Sequence, residues 1–223
     1  MQHSISLNED KAGANFSARF SCYNISMRKI IEAVAVGILI GLLTFIASDY
    51  LPDNLKFLVE TKLIWALPPF IMAFNLPIRR RQTDAITVSI ITLLTTGLTY
   101  YLTEVIKLHN AFYFPESAAK FIFTAIVGGA AIGTLAYLGR SATNQFIRYG
   151  SMSLLPAVYT GDGINEIIKS FNNFEFTPEI GVKVIGGILF YIAIAGHNKF
   201  KTKALTSFLV LAAIATLAYL YVI

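Results

Sequence analysis

The sequence predicts an all-α fold, a polytopic transmembrane helical bundle of about seven spans, and three observations predict it. Hydrophobic residues make up 55% of the 223 positions and charged residues only 14%, too few to coat a soluble core of this size. The apolar residues fall into seven successive runs, several of which approach or exceed the roughly 18–20 residues that cross a bilayer as a helix. The basic residues gather in every second connection between those runs, the pattern that a bilayer imposes on a multi-pass chain.

The elements follow in order. Residues 1–27 are polar, with scattered Ser and Asn and no apolar stretch. They read as a flexible cytoplasmic tail and not as a signal peptide, so the bundle occupies residues 28–223. Cys22 is the single cysteine, which excludes an intramolecular disulfide and leaves a reduced thiol. The first span covers about 30–50 and carries the small residues Ala33, Gly37 and Gly41 at intervals of four, a stripe that lets a neighbouring helix approach closely. The second covers about 63–78. Its Pro68-Pro69 pair distorts the helix, and Trp65 near its start reads as an interfacial anchor. The third, about 85–108, opens after Asp84, which suits the positive end of the helix dipole, and it carries a stripe of Thr. The fourth, about 118–138, repeats the small-residue pattern at Gly129 and Gly133. The fifth, about 146–168, is interrupted by Pro156 and by Gly161-Asp162-Gly163. The sixth covers about 178–196 and the seventh about 204–223.

Orientation follows from the basic residues. Lys11, Arg19, Arg28, Lys29, Arg79, Arg80, Arg81, Arg140, Arg148, Lys199, Lys201 and Lys203 fall on one side, twelve in all, against Lys56, Lys62, Lys107, Lys120, Lys169 and Lys183 on the other. The richer side, which holds every Arg, is cytoplasmic by the positive-inside rule. Seven spans then give an N-in, C-out chain.

One segment occurs twice. EVIKLHNAFYFPESAAK, from Glu104, matches EIIKSFNNFEFTPEIGVK, from Glu166, with nine of seventeen columns identical once Thr177 is treated as an insertion. The matched residues are mostly charged, Asn, Pro or aromatic, so apolar sameness does not explain them. A duplicated helical hairpin does, with repeat units of about 84–140 and 146–203. Glu104 with Lys107, Glu116 with Lys120 and Glu179 with Lys183 have the spacing of pairs on one helix face. Pro115 and Pro178 suit the first position of a returning helix. In one reading the repeat is only a hairpin that kept good capping and anchoring residues. In the other, two hairpins related by an axis along the membrane normal flank a cavity, as parallel repeats do in some transporters.

The fifth span supplies the sharpest site candidate. Pro and Gly break the backbone ladder, and a broken helix at membrane depth is tolerated only where protein covers it or water reaches it. Asp162 is then an intramembrane carboxylate, a usual mark of a substrate or ion path. Alternatively the helix stops near Tyr159 and Asp162 sits in a solvated turn. The substrate-binding candidates are Asp162 and Glu166 with Tyr159 and Asn165 from the second hairpin, and Tyr100, Tyr101 and Glu104 from the first.

Other classes find no support in the sequence. There is no phosphate-cradling glycine loop with its lysine, hence no built-in ATPase and no nucleotide cofactor. His3, His109 and His197 fall in different regions, so no metal site and no serine–histidine hydrolase is expected. No basic–aromatic run suggests nucleic acid. The expectation is a non-enzymatic protein of a bacterial-type plasma membrane, partnered by the lipid bilayer. Its role is that of a small permease or the solute-binding subunit of a transporter, taking a small solute or cation and needing no cofactor. It would work alone, with a partner membrane subunit, or as a homo-oligomer. The alternative is a non-transporting assembly, immunity or scaffold protein that acts through its helix faces.

Overall fold

The computed structural model describes residues 27–52, 56, 62–77, 80–107, 116–173, 177–195 and 201–221. Seven α-helices account for nearly all of them, and no strand occurs among the described residues. They are α1 (Met27–Tyr50), α2 (Lys62–Phe74), α3 (Gln82–Lys107), α4 (Glu116–Ser141), α5 (Gln145–Asn173), α6 (Pro178–Ala195) and α7 (Lys201–Tyr221). Five of these, α1, α3, α4, α6 and α7, are long and apolar enough to cross a membrane. The protein is a membrane-spanning helical bundle. Residues 1–26 of the expected tail lie outside the described residues, as do the Phe-x-Phe segments of both repeat copies.

The bundle carries its large apolar side chains outward. Leu39 and Leu43 on α1, Phe123 and Val127 on α4, Ile185 and Leu189 on α6, and Leu209 and Leu217 on α7 are all more than half exposed. In water this would be a severe liability, whereas lipid tails solvate such groups as well as a protein core does. The inward faces of α1 and α3 are mostly small or hydroxylic, while Phe70, Met152, Phe190 and Phe208 fill the core among the other helices. On α1 the buried residues are Ala33, Gly37, Gly41 and Thr44, an extension of the stripe read from the sequence. A Cβ added at Gly41 would lie 2.5 Å from the Thr96 carbonyl oxygen on α3, so only glycine lets the two backbones approach this closely. The Thr stripe of α3 stays satisfied locally. Thr92, Thr95, Thr96 and Thr103 each donate to the carbonyl four residues earlier at 2.7–2.8 Å, which removes the penalty of a bare hydroxyl in an apolar setting.

Packing is organised around two helices. α3 lies between α1 and α4, and α5 lies between α7 and α6. α2 sits against α3 and α4, while α4 joins the two groups through α5. Lys107 at the end of α3 meets Asp49 at the end of α1 at 2.6 Å, so these helices run parallel. Lys203 at the start of α7 donates to Gln145 at the start of α5 at 2.9 Å, so these are parallel too. The free ends of the α3–α4 and α5–α6 hairpins therefore reach the same face, opposite the short connection at 142–144.

On the arginine-rich face Arg140 is buried and donates to the Leu76 carbonyl, which ties α4 to the end of α2. Its guanidinium also lies 5.8 Å from the centre of the Tyr137 ring, a favourable cation–π distance. Arg28 and Lys29 lie inside α1, which starts earlier than its apolar run, and both pair with Glu32.

α5 corrects the sequence reading. It is a continuous helix of 29 residues that passes through Pro156, Gly161, Asp162 and Gly163. It neither breaks inside the membrane nor stops at Tyr159. Gly161 and Gly163 are contact points, not turns. A Cβ at Gly161 would lie 2.6 Å from that of Ala215 on α7, and one at Gly163 would lie 2.7 Å from Val184 on α6. The Pro156 carbonyl accepts a hydrogen bond from the Thr160 hydroxyl at 2.9 Å. Close neighbours on two sides hold the helix together where local propensity alone would break it.

Candidate functional site

Two features form near the face that holds both hairpin ends, one a mostly apolar cavity with a few hydroxyls and the other a cluster of charges. The first is a cavity of about 530 Å³, walled by α1, α2, α3 and α4, with Tyr159 of α5 completing it. The small stripe on α1 continues into Thr44 and Ser48, which supply hydroxyls. α3 supplies Tyr100 and Tyr101, and α2 enters with Trp65 and Ala66. Phe121, Thr124 and Gly128 come from α4.

Four aromatic rings form a closed circuit in that wall. Trp65 meets Tyr100 at 5.6 Å, Tyr100 meets Tyr101 at 5.3 Å, Tyr101 meets Phe121 at 5.9 Å, and Phe121 returns to Trp65 at 4.9 Å between ring centres. Their planes are steeply inclined, between 57° and 86°, as electrostatically favoured edge-to-face contacts require. Gly97, one turn before Tyr100, makes room for this. A Cβ there would fall 1.8 Å from the Phe121 ring. Thr44 is only 4% exposed, and its hydroxyl has no hydrogen-bond partner among the described residues. A buried polar group without a partner is costly, and this one belongs to the cavity wall.

The second group centres on Lys183 of α6. Its ammonium meets Asp162 at 3.0 Å, Glu179 at 3.1 Å and also Glu166. The lysine side chain is 14% exposed and the carboxylates 28–44%. The expected Glu179–Lys183 pair is present. This cluster pins α5 to α6 and turns its charges on one another instead of toward the cavity.

The sequence-derived candidates thus separate. Tyr100, Tyr101 and Tyr159 line the cavity. Asp162 and Glu166 are held by Lys183, outside the cavity lining. Asn165 is buried at 3% exposure on α5, its side-chain oxygen without a partner among the described residues, and it does not line the cavity either. Glu104 is half-buried one turn beyond Tyr100 and Tyr101. Its expected pairing with Lys107 does not form, because Asp49 from α1 takes that lysine. The Trp65 reading is also corrected: it is a half-buried wall of the cavity with two ring partners. Thr44, Ser48, Phe121 and Thr124 carry no local sign of a site in the sequence. Their only signal is the small-residue stripe leading up to Thr44.

A second hollow of about 590 Å³ lies among α4, α5 and α7, lined by Phe146, Ile147, Leu154, Val210 and Ile214. Phe146 and Ile214 are more than half exposed there, so it reads as a groove open to lipid.

A family model described as a family of unknown function (DUF6518) matches residues 24–223, which takes in every described helix. No curated protein and no solved structure matches the chain.

Proposed function

The chain belongs to the DUF6518 family, whose function is unknown, and from its own site we propose that it is a small solute-binding membrane protein, a permease or the binding subunit of a transporter. The observation that carries this is the aromatic cavity with the unpartnered, buried Thr44 hydroxyl in its wall. The bundle's other hollow is lined mainly by apolar side chains exposed to lipid, whereas this one is walled by aromatic and hydroxyl-bearing side chains from five helices. Concave, mostly apolar hollows with a few convergent polar groups are where small ligands bind.

The arginine-rich face lies in the cytoplasm of a bacterial-type cell and the cavity opens toward the outside. The two hairpins are duplicated units with divided roles. The first carries the ligand, and the second is locked by Lys183 and braces it. The protein binds and passes its solute without converting it.

Trp65 is the sole tryptophan of the chain and stands in the cavity wall, so its fluorescence reports on occupancy. In purified protein a panel of small solutes is expected to contain at least one that shifts Trp65 emission saturably. A Cβ added at Gly128 meets nothing closer than 4.0 Å, so the position accepts the root of a side chain, and Gly128→Leu is the variant that should fill the cavity. That variant is expected to abolish the shift while keeping its helical circular dichroism. If Gly128→Leu leaves the solute response intact, or if no solute in the panel moves Trp65, the cavity is a packing void and the reading fails. A scaffold protein would behave in the second way.

A further inference from the structure

We propose that the ligand of this cavity is an organic cation, a small quaternary or tertiary ammonium compound, held by the four-ring circuit with Glu104 at its rim. This rests on the cavity's being a binding site at all, and it names the chemistry that such a site selects.

The rings provide the first argument. Trp65, Tyr100, Tyr101 and Phe121 all line one hollow, with neighbouring centres 4.9–5.9 Å apart. The hollow they border, not the contact points between them, is where a cation would sit, within reach of the roughly 6 Å over which aromatic rings attract positive charge. The same aromatic cluster already attracts one cation. The Lys107 ammonium lies 5.7 Å from the centre of the Phe45 ring, and Phe45 in turn contacts Tyr100 edge-on at 6.2 Å.

Glu104 provides the second. Six other described carboxylates each sit in an ion pair: Glu32, Asp49, Asp84, Asp162, Glu166 and Glu179. Glu104 is the one carboxylate without a cationic partner among the residues whose side chains are described. It stands three and four residues beyond Tyr101 and Tyr100, on the same helix face. A half-buried carboxylate without a cationic partner, one turn beyond Tyr100 and Tyr101, is an unmatched negative charge, and a bound cation would match it.

The alternatives fit less well. An anion would find aromatic rings and hydroxyls but no Lys or Arg in the lining, and the nearby Lys107 is already paired with Asp49. A small metal ion would find hydroxyls in the lining and at most the one carboxylate of Glu104 beyond it, and hard cations need several oxygen ligands to shed their water. A methylated ammonium is weakly hydrated and needs neither.

The test compares choline with 3,3-dimethylbutan-1-ol, which has the same shape with carbon in place of the charged nitrogen. Both are titrated into the purified full-length protein with Trp65 emission as the readout. Choline is expected to bind about tenfold or more tightly than its carbon analogue. Glu104→Gln is expected to weaken choline several-fold and leave the analogue unchanged. Tyr101→Phe, which keeps the ring, is expected to retain choline binding, whereas Tyr101→Leu is expected to lose it. Equal binding of the two compounds, or binding of the analogue alone, overturns the cation and leaves the cavity reading standing. No response to either compound overturns the cation as well, and the wider solute panel then decides the cavity. Equal loss of both compounds in Glu104→Gln would overturn the role of its charge, since the residue would then act on the fold.

Discussion

At the scale of single residues, the most consequential position is a glycine. Gly97 faces Phe121 so closely that an added methyl would fall 1.8 Å from the ring. The ring must leave, and the circuit opens at its contact with Trp65. Gly97→Ala is therefore expected to shift Trp65 emission in the unliganded protein and abolish the solute response, while lowering stability by about 1–3 kcal/mol as overpacking does. Unfolding by SDS titration alongside the fluorescence spectrum would show both. An unchanged spectrum would mean that Phe121 is not held where the geometry puts it. Tyr100 and Tyr101 are legible in the sequence only as the first hairpin's neighbours of Asp162, and they line the cavity although Asp162 does not. Trp65 is not legible, because a Trp at a helix start has an ordinary use at the interface, and only the approach of α3 and α4 reveals the other. The partner of Lys107 is hidden for a similar reason. Spacing along a helix reports local neighbours, and the lysine goes instead to Asp49 on another helix, at 2.6 Å.

At the scale of elements, α5 shows what propensity alone misses. Pro156, Gly161 and Gly163 carry a strong local signal for a break, yet the helix runs through them. The competing term is helix–helix approach, which rewards small residues in a membrane and cannot be seen until α6 and α7 are in place. Asp162 stands out in the sequence as a carboxylate in an apolar run, but its partner lies in the next helix. That partner makes the second cluster a strut. Lys183→Met would leave three partly buried carboxylates facing one another without their shared cation. The expected loss is about 2 kcal/mol, below the range for fully buried pairs because the carboxylates keep some exposure. Adding Asp162→Asn to that variant removes one of the repelling charges and is expected to restore part of the stability, measured by the same SDS titration. Asp162→Asn alone is expected to leave the Trp65 response to solute intact, since Asp162 does not line the cavity. A lost response in that variant would move the site from the first hairpin to the second.

At the scale of the whole molecule, class and helix count are legible because lipid imposes simple rules: long apolar runs and an asymmetric distribution of Lys and Arg. The site is legible only in half, since its walls come from five helices and no run of sequence records that convergence. The orientation bears on what the cavity is for, because Ser48, Tyr100, Tyr101 and Phe121 of its lining lie toward the face that holds the hairpin ends. Thr143, in the connection between α4 and α5, and Thr177, before α6, are both exposed and lie at opposite ends of the bundle. With Cys22→Ser as background, Thr143→Cys and Thr177→Cys can be tested with a membrane-impermeant maleimide on vesicles of known sidedness. Thr177→Cys is expected to react from outside only, and Thr143→Cys from the cytoplasmic side only. The reverse pattern would keep the bundle but turn the cavity toward the cytoplasm, making the protein a receptor for internal solutes. Labelling of both positions from one side would break the alternation of helix directions itself. The pairing of Lys107 with Asp49 and of Lys203 with Gln145 argues against that outcome, because it needs α1 parallel to α3 and α5 parallel to α7.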